Sequence, residues 1–149
     1  MRRRIYVASS WDNPQQPAVV KELRRRGHTV CDFRHPHARD ECNVWDMLNV
    51  NRDEVSGETL AALLDEPLVY ERYREQLEAM RDADLCLLLL PSGRSAHIEA
   101  GYMKGLGKTV YVFGSVFDRL RPELMYLAFD AYFPLYETLF KVLDDDDGE

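Results

Sequence analysis

The chain has 149 residues, 46% of them hydrophobic and 30% charged, with a formal net charge of −7. That composition fits one ordinary globular domain with room for a sizeable core, and the longest apolar run, LCLLLL, is far too short to cross a bilayer as a helix. The opening MRRRIYV breaks at SSWDNP before a secretory apolar segment forms, and three cysteines (Cys31, Cys42, Cys86) without motif spacing suit a reducing compartment, so a cytoplasmic location is expected.

Five of the negative charges lie in the terminal DDDDGE, expected as a solvated, disordered tail (144–149) behind a single domain spanning 1–143. The first 34 residues carry eight Arg or Lys against three acids. The triplet RRR at 24–26 closes a predicted helix, where cations complement the helix dipole. The basic segment is therefore read as structural, and neither a nucleic-acid nor a membrane partner is expected.

In chain order, RIYVA (4–8) reads as a buried strand. Pro17 opens a helix that turns Val19, Val20 and Leu23 inward and ends at Gly27. TVCDF (29–33) is a second strand, so strand, helix and strand fit within 30 residues, the unit of a parallel sheet. Residues 34–56 hold no sustained period but carry His35, Pro36, His37, Trp45 and several Asp and Asn. A polar stretch of that length inside a compact domain tends to be functional.

GETLAALLDEP predicts a short helix stopped by Pro67. A longer helix follows, with Tyr70, Tyr73, Leu77 and Met80 spaced along one face. The strand DLCLLLL (84–90), a helix over 95–106 and the strand KTVYVFG (108–114) come next. RPELMYLAF gives a short helix with Pro122 near its start, YFPLY a last strand, and ETLFKVLD a closing helix. The alternation predicts an α/β fold, a parallel-sheet, flavodoxin- or Rossmann-like three-layer sandwich with helices on both faces. Ligands in such sheets sit at the carboxyl ends of the strands, where this chain places two polar loops, SSWDNP and PSGRSAH.

Just beyond the second loop stands Glu99. Helical side chains lean toward the helix N-terminus, so Glu99 is expected to aim back at the strand tip. The helix dipole and nearby Arg94 are expected to hold it ionised. A carboxylate so placed can act as nucleophile, as base, or as acceptor for sugar hydroxyls.

The segment DADLCLLLLPSGRSAHIEAGYMKGLGKTVYVF resembles the nucleoside 2-deoxyribosyltransferase superfamily, which includes transferases, 2′-deoxynucleoside 5′-phosphate N-hydrolases and a hydroxymethyl-CMP hydrolase. The likeness rests on Asp84 before a buried strand, the polar loop, and the run Glu99-Ala100-Gly101-Tyr102. IYVASSW is similar to the family's base-holding first loop, and RPELMY to the stretch that in many members completes a neighbouring subunit's site. The resemblance implies N-glycosidic bond cleavage in a nucleoside or nucleoside 5′-monophosphate, with Glu99 attacking C1′ and a glycosyl-enzyme ester passed to a base or to water. The logic parallels retaining glycosidases. It implies Tyr6 or Tyr102 as the group orienting Glu99, and Ser9, Ser10, Trp11, Trp45, Gln76, Glu123 and Met125 as substrate contacts. It also implies a homodimer or larger homo-oligomer with shared sites, and no cofactor or metal.

Two departures bear on the chemistry. Members often carry an aspartate eight residues before the Asp84 equivalent; this chain has Gln76, which can hydrogen-bond a base but cannot protonate it. Glu75, Glu78 and Asp82 are the nearby candidates to replace it. In the loop, where nucleoside-using transferases place an acid for the 5′-hydroxyl, stand Ser92, Gly93, Arg94 and Ser95, which suit a phosphate. Trp11 and Trp45 either stack on the base or pack in the core. Sheets with a glutamate in a similar place also occur in TIR-like and other nucleotide-sensing modules, so a non-catalytic nucleotide-binding module is the alternative. Cys31, His35, His37 and Cys42 match no usual zinc spacing, and His97 is expected to face away from Glu99.

Overall fold

The computed structural model describes residues 2–32 and 43–145. Phe33 of the expected second strand, His35, His37 and Cys42 fall outside them, as do 146–149. The described elements are β1 (Arg4–Ala8), α1 (Gln16–Arg25), β2 (Thr29–Cys31), α2 (Val44–Met47), α3 (Gly57–Leu64), α4 (Pro67–Asp82), β3 (Leu85–Leu89), α5 (Arg94–Gly105), β4 (Thr109–Phe113), a 3₁₀ turn (Leu124–Ala128), β5 (Ala131–Phe133) and α6 (Tyr136–Asp145).

The five strands form one parallel sheet in the order β2-β1-β3-β4-β5. Side chains alternate across it and make two cores. Ile5, Val7, Leu85, Leu87 and Phe113 pack with Val19, Val20 and Leu23 of α1 and Leu139 and Leu143 of α6. Tyr6, Ala8, Cys86, Leu88 and Val112 pack with Met80 of α4 and Ala96, Ala100 and Met103 of α5. Helices thus cover both faces, which is why the strands read as near-continuous apolar runs. The strand order reverses between β1 and β3, and a crevice outside their carboxyl ends is where such sheets hold ligands.

Two local expectations give way. Pro67 does not only stop α3; it also sits in the first turn of α4, where its missing N–H costs nothing. Of the expected face, Met80 is buried and Leu77 half-buried as expected, but Tyr70 and Tyr73 face solvent and Val69 turns inward in their place. At the other end of the chain α6 runs through Asp145, and Asp144 pairs with Arg26 and lies 3.4 Å from His28. Asp84 has an architectural place: its carboxylate accepts the Arg4 N–H at 3.0 Å, stitching the amino ends of β1 and β3.

Candidate functional site

The loops after β1 and β3 are tied together at the switch point. Ser10 N–H donates to Ser92 Oγ at 2.9 Å, Gly93 N–H donates to Ser10 Oγ at 2.5 Å, and Ser92 Oγ donates to the Leu89 carbonyl at 2.5 Å. Asn13, buried, gives its amide to the carbonyls of both Leu89 and Pro91 at 3.1 Å. Its own Oδ1 accepts the Gln15 N–H, an Asx turn that the sequence Asn-Pro hints at. Sequence reasoning passed over Asn13 because nothing in SSWDNP says which polar group turns inward.

Glu99 lies in the second turn of α5 and reaches back over the sheet, where Tyr6 OH donates to its Oε2. Register fixes the floor: Tyr6 pairs with Cys31 of β2 on one side and Cys86 of β3 on the other, so the three side chains form one cross-strand row on the α4–α5 face. Burial in this apolar surrounding pushes the Glu99 carboxyl up to about 7, against the Tyr6 hydrogen bond, which lowers it. The expectation of a carboxylate held ionised by the helix dipole and Arg94 is therefore corrected. The dipole acts mainly within the first turn, and Arg94, exposed at the start of α5, is not among the groups that shift Glu99. Burial first, then the Glu99 charge and its hydrogen bond, raises the Tyr6 phenol well above its usual value, so Tyr6 stays a donor. Cys31 is pushed up to about 11 by burial, with the charges of Asp32 and Glu99 adding.

Of the two tyrosines proposed to orient Glu99, the structure brings only Tyr6 to it. Tyr102 OH accepts from Arg81 Nε at 3.3 Å, near the end of α4. Gln76 is informative by its exposure. It lies seven residues after Val69 and four before Met80, on the same helical face as both buried residues, yet it is exposed. The Gln76 side chain is therefore not packed into the core among the described residues. The proposed stand-in acids are otherwise engaged or remote. Asp82 pairs with Arg4 at the amino end of the sheet at 2.8 Å, Glu78 is exposed, and Glu75 pairs with Arg72 at 3.4 Å.

Arg52 lies 3.8 Å from Asp12 and 3.5 Å from Asp46, drawing the α2 segment toward the β1 loop. Trp11 and Trp45 are both half-buried on these two segments. Ser9 is buried beside Ser10, and Ser95 is exposed in the first turn of α5. Glu123 and Met125 are exposed at the 3₁₀ turn, where Glu123 Oε1 accepts the Met125 N–H at 3.0 Å.

Two recesses lie away from Glu99. One of about 460 Å³, lined by Arg2, Arg25, Arg26 and Asp144, is at the opposite, amino end of the sheet, where Glu22 and Asp144 already pair its arginines. The other, about 250 Å³, is lined by Leu90, Leu120, Arg121, Pro122, Tyr126 and Tyr132 together with the candidate Glu123. No helix among the described residues is long and apolar enough to cross a membrane.

This architecture is shared with two solved structures. A 2-deoxyribosyltransferase from the psychrotolerant bacterium Bacillus psychrosaccharolyticus superposes with a TM-score of 0.56 at 21% identity, covering 97% of this chain and 93% of that one. The CMP N-glycosidase BcmB of Clostridium botulinum gives 0.51 at 12% identity, covering 95% and 99%. No family profile and no curated protein sequence matches the chain.

Proposed function

We propose that the protein cleaves the N-glycosidic bond of a nucleoside 5′-monophosphate, with Glu99 as nucleophile. The observation that carries this reading is the Tyr6–Glu99 hydrogen bond, in which a half-buried carboxylate is held over the sheet next to the loops at the switch point. Glu99, ionised, attacks C1′; the C1′–N bond breaks, and its electron pair leaves with the base, which takes a proton from solvent. A water or a second base then adds at C1′ and frees the carboxylate. The buried negative charge faces an oxocarbenium-like transition state, where water would otherwise weaken the attraction. Gln76 hydrogen-bonds the base, with Trp11 and Trp45 flanking it and Ser9 and Ser10 at the loop beneath. Ser92, Gly93, Arg94 and Ser95 receive the 5′-phosphate; Arg94 pairs with no acid among the described residues.

The test is chromatographic. Wild type and Glu99→Ala are incubated with the common ribo- and deoxyribonucleosides, their 5′-monophosphates and NAD, each with and without an acceptor base. Base release from a monophosphate, reduced at least about a thousandfold in the variant, is the expected result. Tight nucleotide binding without release from any substrate would instead favour a non-catalytic sensing module, the reading that Gln76 in place of an acid supports.

A second copy of the chain is part of this proposal. Phe117 and Leu127 are about nine-tenths exposed, with Leu124 and Met125 beside Leu127 also open. An apolar patch of this kind is a surface to be covered. Glu123 and Met125 would then reach the neighbour's cleft. Light scattering is expected to give a dimer or larger assembly for wild type and a smaller species for Leu127→Asp, with base release falling at least about tenfold. A wild type that is monomeric at all concentrations would remove this element.

A further inference from the structure

We infer that His97 and Tyr126 are positioning residues for the 5′ end of the substrate, acting through the backbone of Gly93; this rests on the monophosphate reading above. Gly93 precedes α5 as its N-cap and has no side chain with which to fix the turn. Its carbonyl takes the His97 backbone N–H at 3.4 Å and the His97 Nδ1 at 2.7 Å. A carbonyl only accepts, so Nδ1 carries the proton. In the neutral ring, Nε2 then accepts from Tyr126 OH at 2.8 Å. The two rings lie 5.7 Å apart, 27° from parallel. On the other side Gly93 N–H is held by Ser10 Oγ.

Gly93 is thus gripped from two directions: by the β1 loop and by a His–Tyr bridge rooted in the 3₁₀ turn. Ser92, Arg94 and Ser95 are its immediate neighbours. Within the 3₁₀ turn, Leu124, Met125 and Leu127 are exposed while Tyr126 turns inward. Packing on that turn therefore bears on the loop. His97 is two residues from Glu99, about 200° around the helix, and its loss leaves the Tyr6–Glu99 bond in place.

The experiment compares His97→Ala, His97→Asn, His97→Gln and Tyr126→Phe. Steady-state kinetics and calorimetric Kd values are measured with the four 2′-deoxynucleoside 5′-monophosphates and with the matching free nucleosides. His97→Ala is expected to raise KM and Kd for the monophosphates about tenfold, with kcat within about twofold and the free-nucleoside values unchanged. The Asn amide overlays Nδ1–H and is expected to restore binding to within about threefold, whereas Gln, which mimics Nε2, does not. Tyr126→Phe should fall between wild type and His97→Ala. Equal losses on phosphorylated and free substrates, a fall confined to kcat, or no change at all would overturn the inference, as would a wild type that binds none of the monophosphates. If wild type binds them without turnover, the glycosidase reading fails and the Kd pattern alone decides this one.

Discussion

Replacing Glu99 with glutamine is expected to abolish base release and, at pH 8, to make the protein more stable. The carboxyl titrates near 7 in the folded chain against an ordinary value of 4.5, because burial disfavours its charged form. A folded-state value raised in this way means that the unfolded chain gives up the proton first. Stability from the neutral group is fully present below pH 4.5 and is lost as pH rises through about 7. At about 1.4 kcal/mol per pH unit, the wild type forfeits about 3 kcal/mol by pH 8. Glutamine keeps the shape and still accepts from Tyr6 OH but never ionises. Thermal melts at pH 4, 6 and 8 should show the variant level with wild type at pH 4 and higher by about 6–12 °C at pH 8. An offset that does not change with pH would mean that Glu99 is not a buried, displaced carboxyl.

The second large effect belongs to Tyr6→Phe. Nucleophilic attack needs the Glu99 anion, so kcat/KM for wild type should rise with pH through about 7 and then level off. The Tyr6 hydrogen bond lowers the Glu99 value, and removing it moves that limb upward. At pH 7 the variant is then expected to lose about ten- to a hundredfold in kcat/KM, the scale of a hydrogen bond to a charged group, and to recover part of it by pH 9. A pH–rate profile of the two proteins checks this. A uniform loss, with the limb unmoved, would assign Tyr6 to packing and not to tuning the carboxylate.

Much of the fold was legible because each of the longer strands is an unbroken apolar run and α1 shows its inward stripe Val19-Val20-Leu23 together with its stop at Gly27. The position of Glu99 just past a strand tip was equally plain. Its state of charge was not. It depends on burial and on Tyr6 beneath it, 93 positions away in sequence, which only the packing of α5 on the sheet brings to it. The face of α4 was misjudged for a different reason. Tyr70 and Tyr73 share the 3-4 spacing that leads to buried Met80, yet Val69, one residue away, is the side chain that turns inward, and periodicity alone cannot choose between adjacent stripes. The His97 brace was missed because a histidine bonding to a carbonyl four residues back leaves no pattern in composition.

The Asn13 amide, shared between the carbonyls of Leu89 and Pro91, has a consequence for how a ligand gets in. With Ser10, Ser92 and Gly93 added, the two tip loops are riveted into one rigid lintel over β1 and β3. A lintel does not swing open. Whatever binds at the carboxyl ends of β1 and β3 therefore meets one fixed rim and not two loops that part.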